Sequence, residues 1–470
     1  MRKYIIIMIV ALVGMFISCS KDNLDPTLAQ SKSVETSIQT VEDLQGILYG
    51  AYNRMTSSSY YGRDFIIYGE VRSDNCFSNG NSGRFVTVAA MDMGNNDGYA
   101  SGTWSQIYTV IASANIIIGA EGITGDAAEL NHIKGQAYAI RALAHFDLLK
   151  LFGQQHVLGG DATLAIPYIM EYKGDNLLPS RNTVAEVKGF IYDDLTTALS
   201  LMSASLNDPS VQQITTYAVN AIQARVAVYF GDWAIAKTAC EAIINSGNFA
   251  VTPAASYANI WNVDSPPNSI FELAFSSTDN ANINGLAYIY RGSSYGDIQV
   301  LDDLANIFDP TDVRLVGMIG FYDENQDGTI DATENKLRNL GKWSALDYSN
   351  EVILFRYEEV ILNYAEALFE LSDANALTYL NMIPAERDAT QYATITKDNI
   401  LLERRKELCF EGFRFDDLAR TGKDIPLVSP FQQTHDGPTY GSYKYAFPIP
   451  LVELNANSSM VQNFGYSSTK

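Results

Sequence analysis

The sequence predicts a mostly α-helical protein, in which a tetratricopeptide-like helical-repeat scaffold carries a large irregular, loop-rich half and a few short strands. Three observations lead to this class. Apolar residues recur at helical spacing in several long segments. Residues 215–249 have the pattern of an alanine-rich helical hairpin of about 34 residues, the size of one repeat. Residues 250–343, by contrast, show little helical period and are rich in aromatic side chains.

The N-terminal stretch has the pattern of a lipoprotein signal peptide. Arg2 and Lys3 precede an apolar run that is too short for a comfortable membrane span and that ends at Cys19. We therefore expect residues 1–18 to be a signal peptide, Cys19 to carry acyl chains such as palmitate, and residues 19–40 to be a polar tether. More than one acyl chain would give stable anchoring. The alternative is an ordinary secreted protein in which Cys19 has no such role.

Composition narrows the range of partners. The chain has 32 basic and 54 acidic side chains, a formal charge of −22 and a pI near 4.5, so nucleic acid is not an expected partner. A hydrophobic content of 47% is ample for a large core. Beyond Cys19, the cysteines at 76, 240 and 409 are scattered and odd in number, so no disulfide framework is expected. Cys240 and Cys409 lie in helical patterns and are expected to be small buried apolar residues.

The helical pattern divides the mature chain into two regions. Residues 41–249 form an N-terminal helical region, and residues 250–470 form a C-terminal region with the aromatic segment and the closing helices. In the hairpin, Gly231 is expected to end the first helix and Asp232 to cap the second. Residues 269–275 alternate like a strand. The predicted helices cover residues 41–55, 104–120, 127–152, 184–202, 215–249 as a pair, 352–371 and 374–386.

A dense group of charges occupies residues 403–422. Ten of the eighteen residues from 403 to 420 are charged, and the segment reads as one helix with an apolar stripe. Gly412 is expected to let another backbone approach closely, and Gly422 to stop the helix. The spacing predicts a paired, partly buried structural helix with these i,i+3 or i,i+4 pairs: Glu403–Lys406, Arg404–Glu407, Glu411–Arg414 and Asp416–Arg420.

Three segments together resemble the SusD/RagB family of outer-membrane nutrient-binding lipoproteins. Residues 403–422 read ERRKELCFEGFRFDDLARTG, which is similar to the family's signature near the C-terminus. Residues 141–153 read RALAHFDLLKLFG, with His145 at the family's usual tyrosine position. The last segment, residues 447–466, reads FPIPLVELNANSSMVQNFGY. The resemblance spans residues 19–466 and implies four helix pairs in one half of the molecule.

The resemblance also implies a function. A member of this family would be anchored in the bacterial outer membrane, face the cell exterior, and capture an oligosaccharide or a peptide. It would deliver that ligand to a partner TonB-dependent, SusC-like transporter, and it would not be an enzyme. Much of the ligand-facing surface would come from residues 57–97 and from the aromatic middle region.

One segment matches a calcium loop. Residues 323–334 read DENQDGTIDATE, and Gly328 stands where the twelve-residue template needs a sharp turn. The flanking segments do not look like the helices of a full EF-hand, so we expect a structural calcium ion and no sensor, and no organic cofactor. The alternative is an acidic surface turn without metal. The expected metal ligands are Asp323, Asn325, Asp327, Thr329, Asp331 and Glu334.

Binding by aromatic stacking is the chemistry that the sequence favours. Tyrosine and phenylalanine can cover the flat faces of sugar rings, while polar neighbours fix the hydroxyl groups. Two other classes stay open: a helical-repeat adaptor for protein partners, and a surface glycosidase with paired carboxylates. No motif singles out such a pair, and we name no catalytic residue. The candidate ligand-binding residues are Phe77, Asn79, Arg84, Tyr288, Tyr290 and Tyr295.

Overall fold

The structure is a computed structural model that describes residues 38–468 apart from residues 158, 292–294, 333 and 346. The predicted signal peptide (residues 1–18), Cys19 and nearly all of the tether (residues 19–40) lie outside the described residues. Within the described ranges, none of the helices combines the length and the apolar character needed to cross a membrane.

Helices dominate the described part of the chain, as predicted. Many begin at a side-chain cap: Thr40 and Thr183 each form a reciprocal capping box with the acid three residues later. The α-helices are α1 Val41–Met55, α2 Asp64–Val71, α3 Val86–Ala89, α4 Gly98–Ile118, α5 Ala127–Phe152, α6 Val184–Leu201, α7 Thr216–Phe230, α8 Trp233–Ile244, α9 Leu286–Arg291, α10 Asp302–Asn306, α11 Tyr357–Glu370, α12 Ala376–Ala385, α13 Lys397–Leu408, α14 Arg414–Arg420 and α15 Leu451–Ala456.

The long helices stack in chain order. Helix α1 packs on α4, α4 on α5, α5 on α6, α6 on α7, α7 on α8, α8 on α11, and α11 on both α12 and α13. The segment between α8 and α11 is therefore an excursion from a continuous helical stack. Since each helix buries one face against the next, the apolar stripes merge into one main core. The repeat-like scaffold with a loop-rich half is confirmed.

Six short strands form three two-stranded antiparallel sheets, β1 with β3, β2 with β6 and β4 with β5. The strand predicted over residues 269–275 is observed as β2. All five of its residues are buried, because α1 and α7 both pack against it. The strands are β1 Cys76–Ser78, β2 Ser269–Leu273, β3 Ile298–Val300, β4 Ile319–Phe321, β5 Leu337–Asn339 and β6 Val352–Arg356.

Two local predictions are wrong. The helix expected from residue 352 begins at Tyr357, because the preceding five residues pair with β2 as strand β6. Asp232 does not cap α8: its carboxylate instead accepts hydrogen bonds from Nζ of Lys188 (3.0 Å) and from the Tyr192 hydroxyl (2.7 Å). Gly231 does end α7, with a φ of +74°.

The charged segment at residues 403–422 is two helices and not one. Helix α13 ends at Leu408, and α14 begins at Arg414. Phe410 and Gly412 have φ values of +69° and +87°, which no helix can contain. The predicted close approach is confirmed, since a Cβ on Gly69 of α2 would lie 2.0 Å from the Gly412 carbonyl oxygen.

The predicted pairing of these charges along one helix is also wrong. The helix is interrupted between α13 and α14, so most of the charged side chains are buried against other elements and pair with distant residues. The exceptions are Arg404 and Arg420, which bind Asp417 within the segment. Cys240 and Cys409 are free and buried, as expected, and Cys76 is also free and buried. The observed ion pairs of the segment include Glu403–Arg314, Arg404–Asp417, Glu407 with Arg314, Arg356 and Arg387, Glu411 with Lys342 and Arg356, Arg414–Asp74, Asp416–Lys150 and Arg420 with Glu366 and Asp417.

Candidate ligand-binding site

The pairing of β1 with β3 brings two irregular loops together. Residues 79–84 follow β1, and residues 295–297 precede β3. Asp297 is fully buried and joins the loops: its carboxylate accepts hydrogen bonds from the backbone N–H (2.9 Å) and hydroxyl (2.7 Å) of Ser82, and from the Arg84 N–H at 3.3 Å. The sequence does not single out Asp297, because its partners are more than 200 residues away in the chain and no local pattern marks it.

The side chain of Arg84 is held in place over an aromatic ring. Its guanidinium carbon lies 3.8 Å from the centre of the Tyr295 ring, which is a cation–π contact. The same guanidinium donates to Oγ of Ser82 (2.8 Å) and to Oδ1 of Asn284 (3.1 Å). Because these bonds fix a half-buried arginine before any ligand arrives, its ordering adds little entropic cost to binding.

Three tyrosines continue the same surface. The rings of Tyr288 and Tyr295 meet edge to face at 5.6 Å and 83°, and Tyr288 meets Tyr348 at 6.2 Å and 68°. All three side chains are half-buried, so they offer ring surface to solvent from fixed positions. We call Arg84, Tyr288, Tyr295 and Tyr348 the aromatic face. The sequence prediction missed Tyr348, which lies outside the segments singled out for binding.

A cavity opens beside the aromatic face and shares Tyr348 with it. We call it the side cavity; its lining includes the aromatic rings of Phe275 and Trp343 together with Asn350 and Val352. The segments around β2 and β6 thus reach the candidate site. A larger cavity, of about 740 Å³, lies near residues 170–173 and the end of α4, and it contains none of the predicted ligand-binding residues.

The other predicted ligand-binding residues lie elsewhere or play other parts. Tyr290 is fully buried, stacks on Trp343 at 6.2 Å and 10°, and donates its hydroxyl to the Phe410 carbonyl at 3.2 Å. Phe77 is buried in β1. Neither residue offers a ring to a ligand in this structure. Asn79 is exposed, and its side-chain amide donates to the Gly296 carbonyl at 3.1 Å.

A buried ion pair lies behind the aromatic face. Nε of Arg63 donates to the Asp64 carboxylate at 2.6 Å, and Nη1 of Arg63 reaches Asn284 at 3.4 Å. Burial raises the pKa of Asp64 to about 6, although the charge of Arg63 opposes that shift. Asn284 therefore accepts from two arginines, Arg63 and Arg84, and connects α2 to the face.

The calcium-like loop is the connection between β4 and β5. Gly328 has a φ of +85°, which the sharp turn of the template requires. Oxygens of Asp323 accept from the Gly328 N–H at 2.8 Å, and Oε1 of Glu334 accepts from the N–H groups of Glu324 (2.8 Å) and Asn325 (3.1 Å).

The oxygen ligands in this loop are of the type that calcium prefers. In this structure, however, the carboxylates bind the loop's own backbone. Across the residues that the structure describes, no three His, Cys, Asp or Glu side chains come together as metal ligands. The predicted calcium ion therefore stays a prediction. The Arg338 side chain pairs with Glu324 at 3.2 Å and donates to the Ile298 carbonyl at 3.3 Å, which joins the loop to β3 beside the aromatic face.

Two family models match this chain. One, described as SusD-like and starch-binding associating with outer membrane, matches residues 24–228. The other, the SusD family model, matches residues 332–466. The chain belongs to the SusD family.

Individual relatives agree with this assignment. A SusD-like protein of Formosa agariphila is 25% identical over 98% of this chain and 99% of its own length. The starch-binding protein SusD of Bacteroides thetaiotaomicron is 31% identical over 25% of this chain and 22% of its own length. A solved SusD superfamily structure from Bacteroides vulgatus is 29% identical, with a TM-score of 0.83, and covers 92% of this chain and 100% of that chain. The solved structure of a putative sugar binding protein from the same organism is 28% identical, with a TM-score of 0.82. The match covers 92% of this chain and 100% of that chain.

Proposed function

We propose that this protein is a cell-surface nutrient-binding lipoprotein that captures a glycan, or an oligopeptide, on its aromatic face. The observation that carries the proposal is the face itself: Tyr288, Tyr295 and Tyr348 present ring surface, and Arg84 is fixed among them by hydrogen bonds. Sugar rings offer flat C–H surfaces that tyrosines can cover, and the guanidinium supplies donors for ring hydroxyls or for peptide carbonyls. Relatives named as starch-binding and sugar binding support a carbohydrate ligand.

We propose a lipid anchor at Cys19 on the outer membrane, facing the cell exterior. The apolar run that ends at Cys19 supports the anchor, and the description of the matching family model supports the membrane. Metabolic labelling with a palmitate analogue tests it. Label should enter the wild-type protein and be lost in Cys19→Ala, and label that persists in the variant would contradict the anchor.

We propose that the partner is a TonB-dependent, SusC-like transporter. Capture leads to delivery only if the ligand binds the closed state of the complex with the transporter more tightly than the open state. A ligand with equal affinity for both states would not shift the equilibrium between them. Affinity purification from solubilised outer membranes tests the partnership. A barrel transporter should co-isolate with the protein, and its consistent absence would refute this part of the proposal.

A glycosidase and a protein-binding adaptor are the alternative classes. The relatives found are named as binding proteins, which favours capture over turnover. A combined glycan and peptide array, followed by chromatography of the bound ligand for hydrolysis products, separates the three classes. The proposal predicts binding without hydrolysis. Hydrolysis that depends on a pair of facing carboxylates would indicate an enzyme, and binding only to folded protein partners would indicate an adaptor.

We also propose that residues 323–334 hold a structural calcium ion. The template match and the φ of Gly328 support it, and the ion would stiffen the β4–β5 hairpin next to the aromatic face. Asp327→Asn is a suitable variant, because it removes one charged ligand and keeps its shape. Isothermal titration should show calcium binding to the wild type and weakened binding to the variant. If neither protein binds calcium in this titration, the loop is an acidic turn without metal.

A further inference from the structure

Two buried glutamates face each other beside the side cavity. Glu272 lies on β2 and is fully buried, while Glu351 directly precedes β6 and is 7% exposed. The antiparallel pairing of these strands sets Leu273 opposite Val352 and brings the two glutamate side chains together. Two consecutive residues contact both glutamates: the Glu272 N–H donates to the Val211 carbonyl at 3.0 Å, and the Gln212 side chain donates to Glu351 at 2.8 Å.

Each carboxyl group has donors on one oxygen only. Oε1 of Glu272 accepts from the backbone N–H (2.6 Å) and the hydroxyl (3.1 Å) of Ser265, and Oε1 of Glu351 accepts from Nε2 of Gln212 at 2.8 Å. Oε2 of both glutamates is buried and has no hydrogen-bond partner among the described residues, and the same is true of the neighbouring Ser269 hydroxyl, which lowers the pKa of Glu272. Two ionised carboxylates cannot bond to each other, and leaving both oxygens unpaired in the interior would be costly.

None of the strongest interactions on this pair in the described part of the chain comes from a basic side chain. Apart from Glu272, the charged group acting on Glu351 is the carboxylate of Asp264, which is exposed and has the same sign. The remaining neighbours are neutral serine and glutamine side chains. The strongest neighbours therefore supply no positive charge that would offset two ionised carboxylates.

We propose that Glu272 and Glu351 share one proton, held as an O–H of Glu351 that donates to Oε2 of Glu272, and that this bond positions the start of β6 at the side cavity. One proton satisfies both unpaired oxygens at once. Glu272 is the ionised partner, because its other oxygen already accepts two hydrogen bonds from Ser265. The pattern is that of two carboxyl groups in one site, where one of the two stays protonated.

The pair is next to residues that line the side cavity. Asn350 and Val352 flank Glu351 in the sequence, and both contribute to the cavity wall. The Asn350 amide donates to the Trp261 carbonyl and to Oδ1 of Asn262 at 3.1 Å, so the segment is fixed on both sides of the glutamate. Glu351 is thus a positioning residue for the candidate site. This consequence for ligand binding rests on the proposed function, whereas the shared proton itself does not.

Titration of the pair gives the proton a measurable signature. Burial, and then the charge of Glu272, raises the pKa of Glu351 to about 9 from an ordinary value of 4.5. A carboxyl group whose pKa is raised by folding makes its full contribution to stability at pH values below the pKa that it has in the unfolded chain. This contribution is lost as pH rises towards the pKa in the folded protein. The relevant window therefore runs from about pH 4.5 to about pH 9.

The test is Glu351→Gln in the full chain, because glutamine keeps the shape and donates a hydrogen bond at every pH. Urea unfolding gives the folding equilibrium constant of each protein from pH 5 to pH 10. The folding equilibrium constant of the wild type, divided by that of the variant, should fall about tenfold per pH unit up to pH 9 and then level off. A ratio independent of pH would overturn the shared proton. The matched control is Glu42→Gln, at an exposed glutamate of α1, which shows whether removing any glutamate charge changes the ratio with pH in the same way.

A second measurement is spectroscopic. The infrared spectrum of the wild type minus that of Glu351→Gln should contain a protonated-carboxyl band at pH 7 that disappears with a midpoint near pH 9, and its absence would overturn the proposal. The difference removes the bands of Glu70 and Asp147, whose pKa values burial also raises. The urea series is also repeated with calcium and with a chelator. If this ratio of folding equilibrium constants depends on calcium, a cation and not a proton lies between Glu272 and Glu351. Calcium bound at residues 323–334 does not affect the ratio, because both proteins contain that loop. Failure of every array ligand to bind would refute the proposed function and leave these results unaffected.

Discussion

Glu407 is the residue whose loss should most disturb the scaffold. It is fully buried in α13, and its carboxylate accepts hydrogen bonds from Arg356 (2.6 Å), Arg387 (2.9 Å) and Arg314 (3.2 Å). Burial works against the ionised form, but Arg387 and Arg356 hold the pKa of Glu407 well below its usual range. The lowered pKa favours the ionised carboxylate, which joins α13 to three other parts of the chain.

Glu407→Gln replaces one acceptor oxygen by an amide that can only donate. At least one of the three guanidinium groups then loses one of its acceptors and faces another donor in the interior, although each keeps a second acidic partner. Removing one partner from a buried ion pair costs about 3–5 kcal/mol, and we expect the free energy of unfolding to fall by that amount. Urea unfolding followed by circular dichroism measures it, and the denaturation midpoint should fall without a change in the slope.

The matched control is Asp398→Asn. Asp398 and Lys423 lie 3.8 Å apart, with side chains that are 86% and 53% exposed, so this pair is screened by water and salt. Its loss should leave the midpoint unchanged. Equal midpoints for Glu407→Gln and Asp398→Asn would refute the argument that the charged segment stabilises the fold through buried tertiary pairs.

The remaining predictions concern packing, acid stability and the metal. Gly69→Ala should lower the free energy of unfolding by about 1–3 kcal/mol, because its Cβ would meet the Gly412 carbonyl oxygen at 2.0 Å, whereas Gly46→Ala, with open space around its Cβ in α1, should be neutral or slightly stabilising. Burial alone would raise the pKa of Glu366, but neighbouring guanidinium groups outweigh burial and lower it to about 2. The wild type should therefore exceed Glu366→Gln in free energy of unfolding by the largest amount above pH 4.5, and this difference should shrink as pH falls towards 2. A difference that does not change with pH would contradict the assigned pairing. Calcium should raise the melting temperature of the wild type and not that of Asp327→Asn, and equal shifts would exclude the loop as the site.

Local patterns were sufficient to predict most of the helical scaffold. Helix α5 has the bounds that apolar spacing and Gly153 predict, and the structure adds the Asp126 side chain as its N-cap. Residues 352–356 were misread as helix because a short apolar run looks the same in both structures, and only the distant strand β2 decides between them.

Long-range contacts explain why the charges and the site were predicted less well. The spacing of Arg404 and Glu407 fits a helical pair, yet Glu407 binds arginines that come from separate segments, which no local spacing reveals. Arg84 and Tyr295 were chosen for their residue types, and the structure brings them together through the β1–β3 pairing. Asp297 fixes that arrangement, but its role depends on contacts that the linear sequence does not display.

The most direct test of the account is the affinity of the purified protein for the best ligand from the glycan and peptide array, measured by isothermal titration. Tyr288→Ala and Tyr295→Ala should each weaken binding about tenfold or more, as expected when a ring at the centre of a contact is removed. Tyr49→Ala, at a tyrosine of α1 that is 54% exposed and lies outside the aromatic face, should leave the affinity unchanged. Equal affinities for the wild type and all three variants would contradict the aromatic face as the binding site.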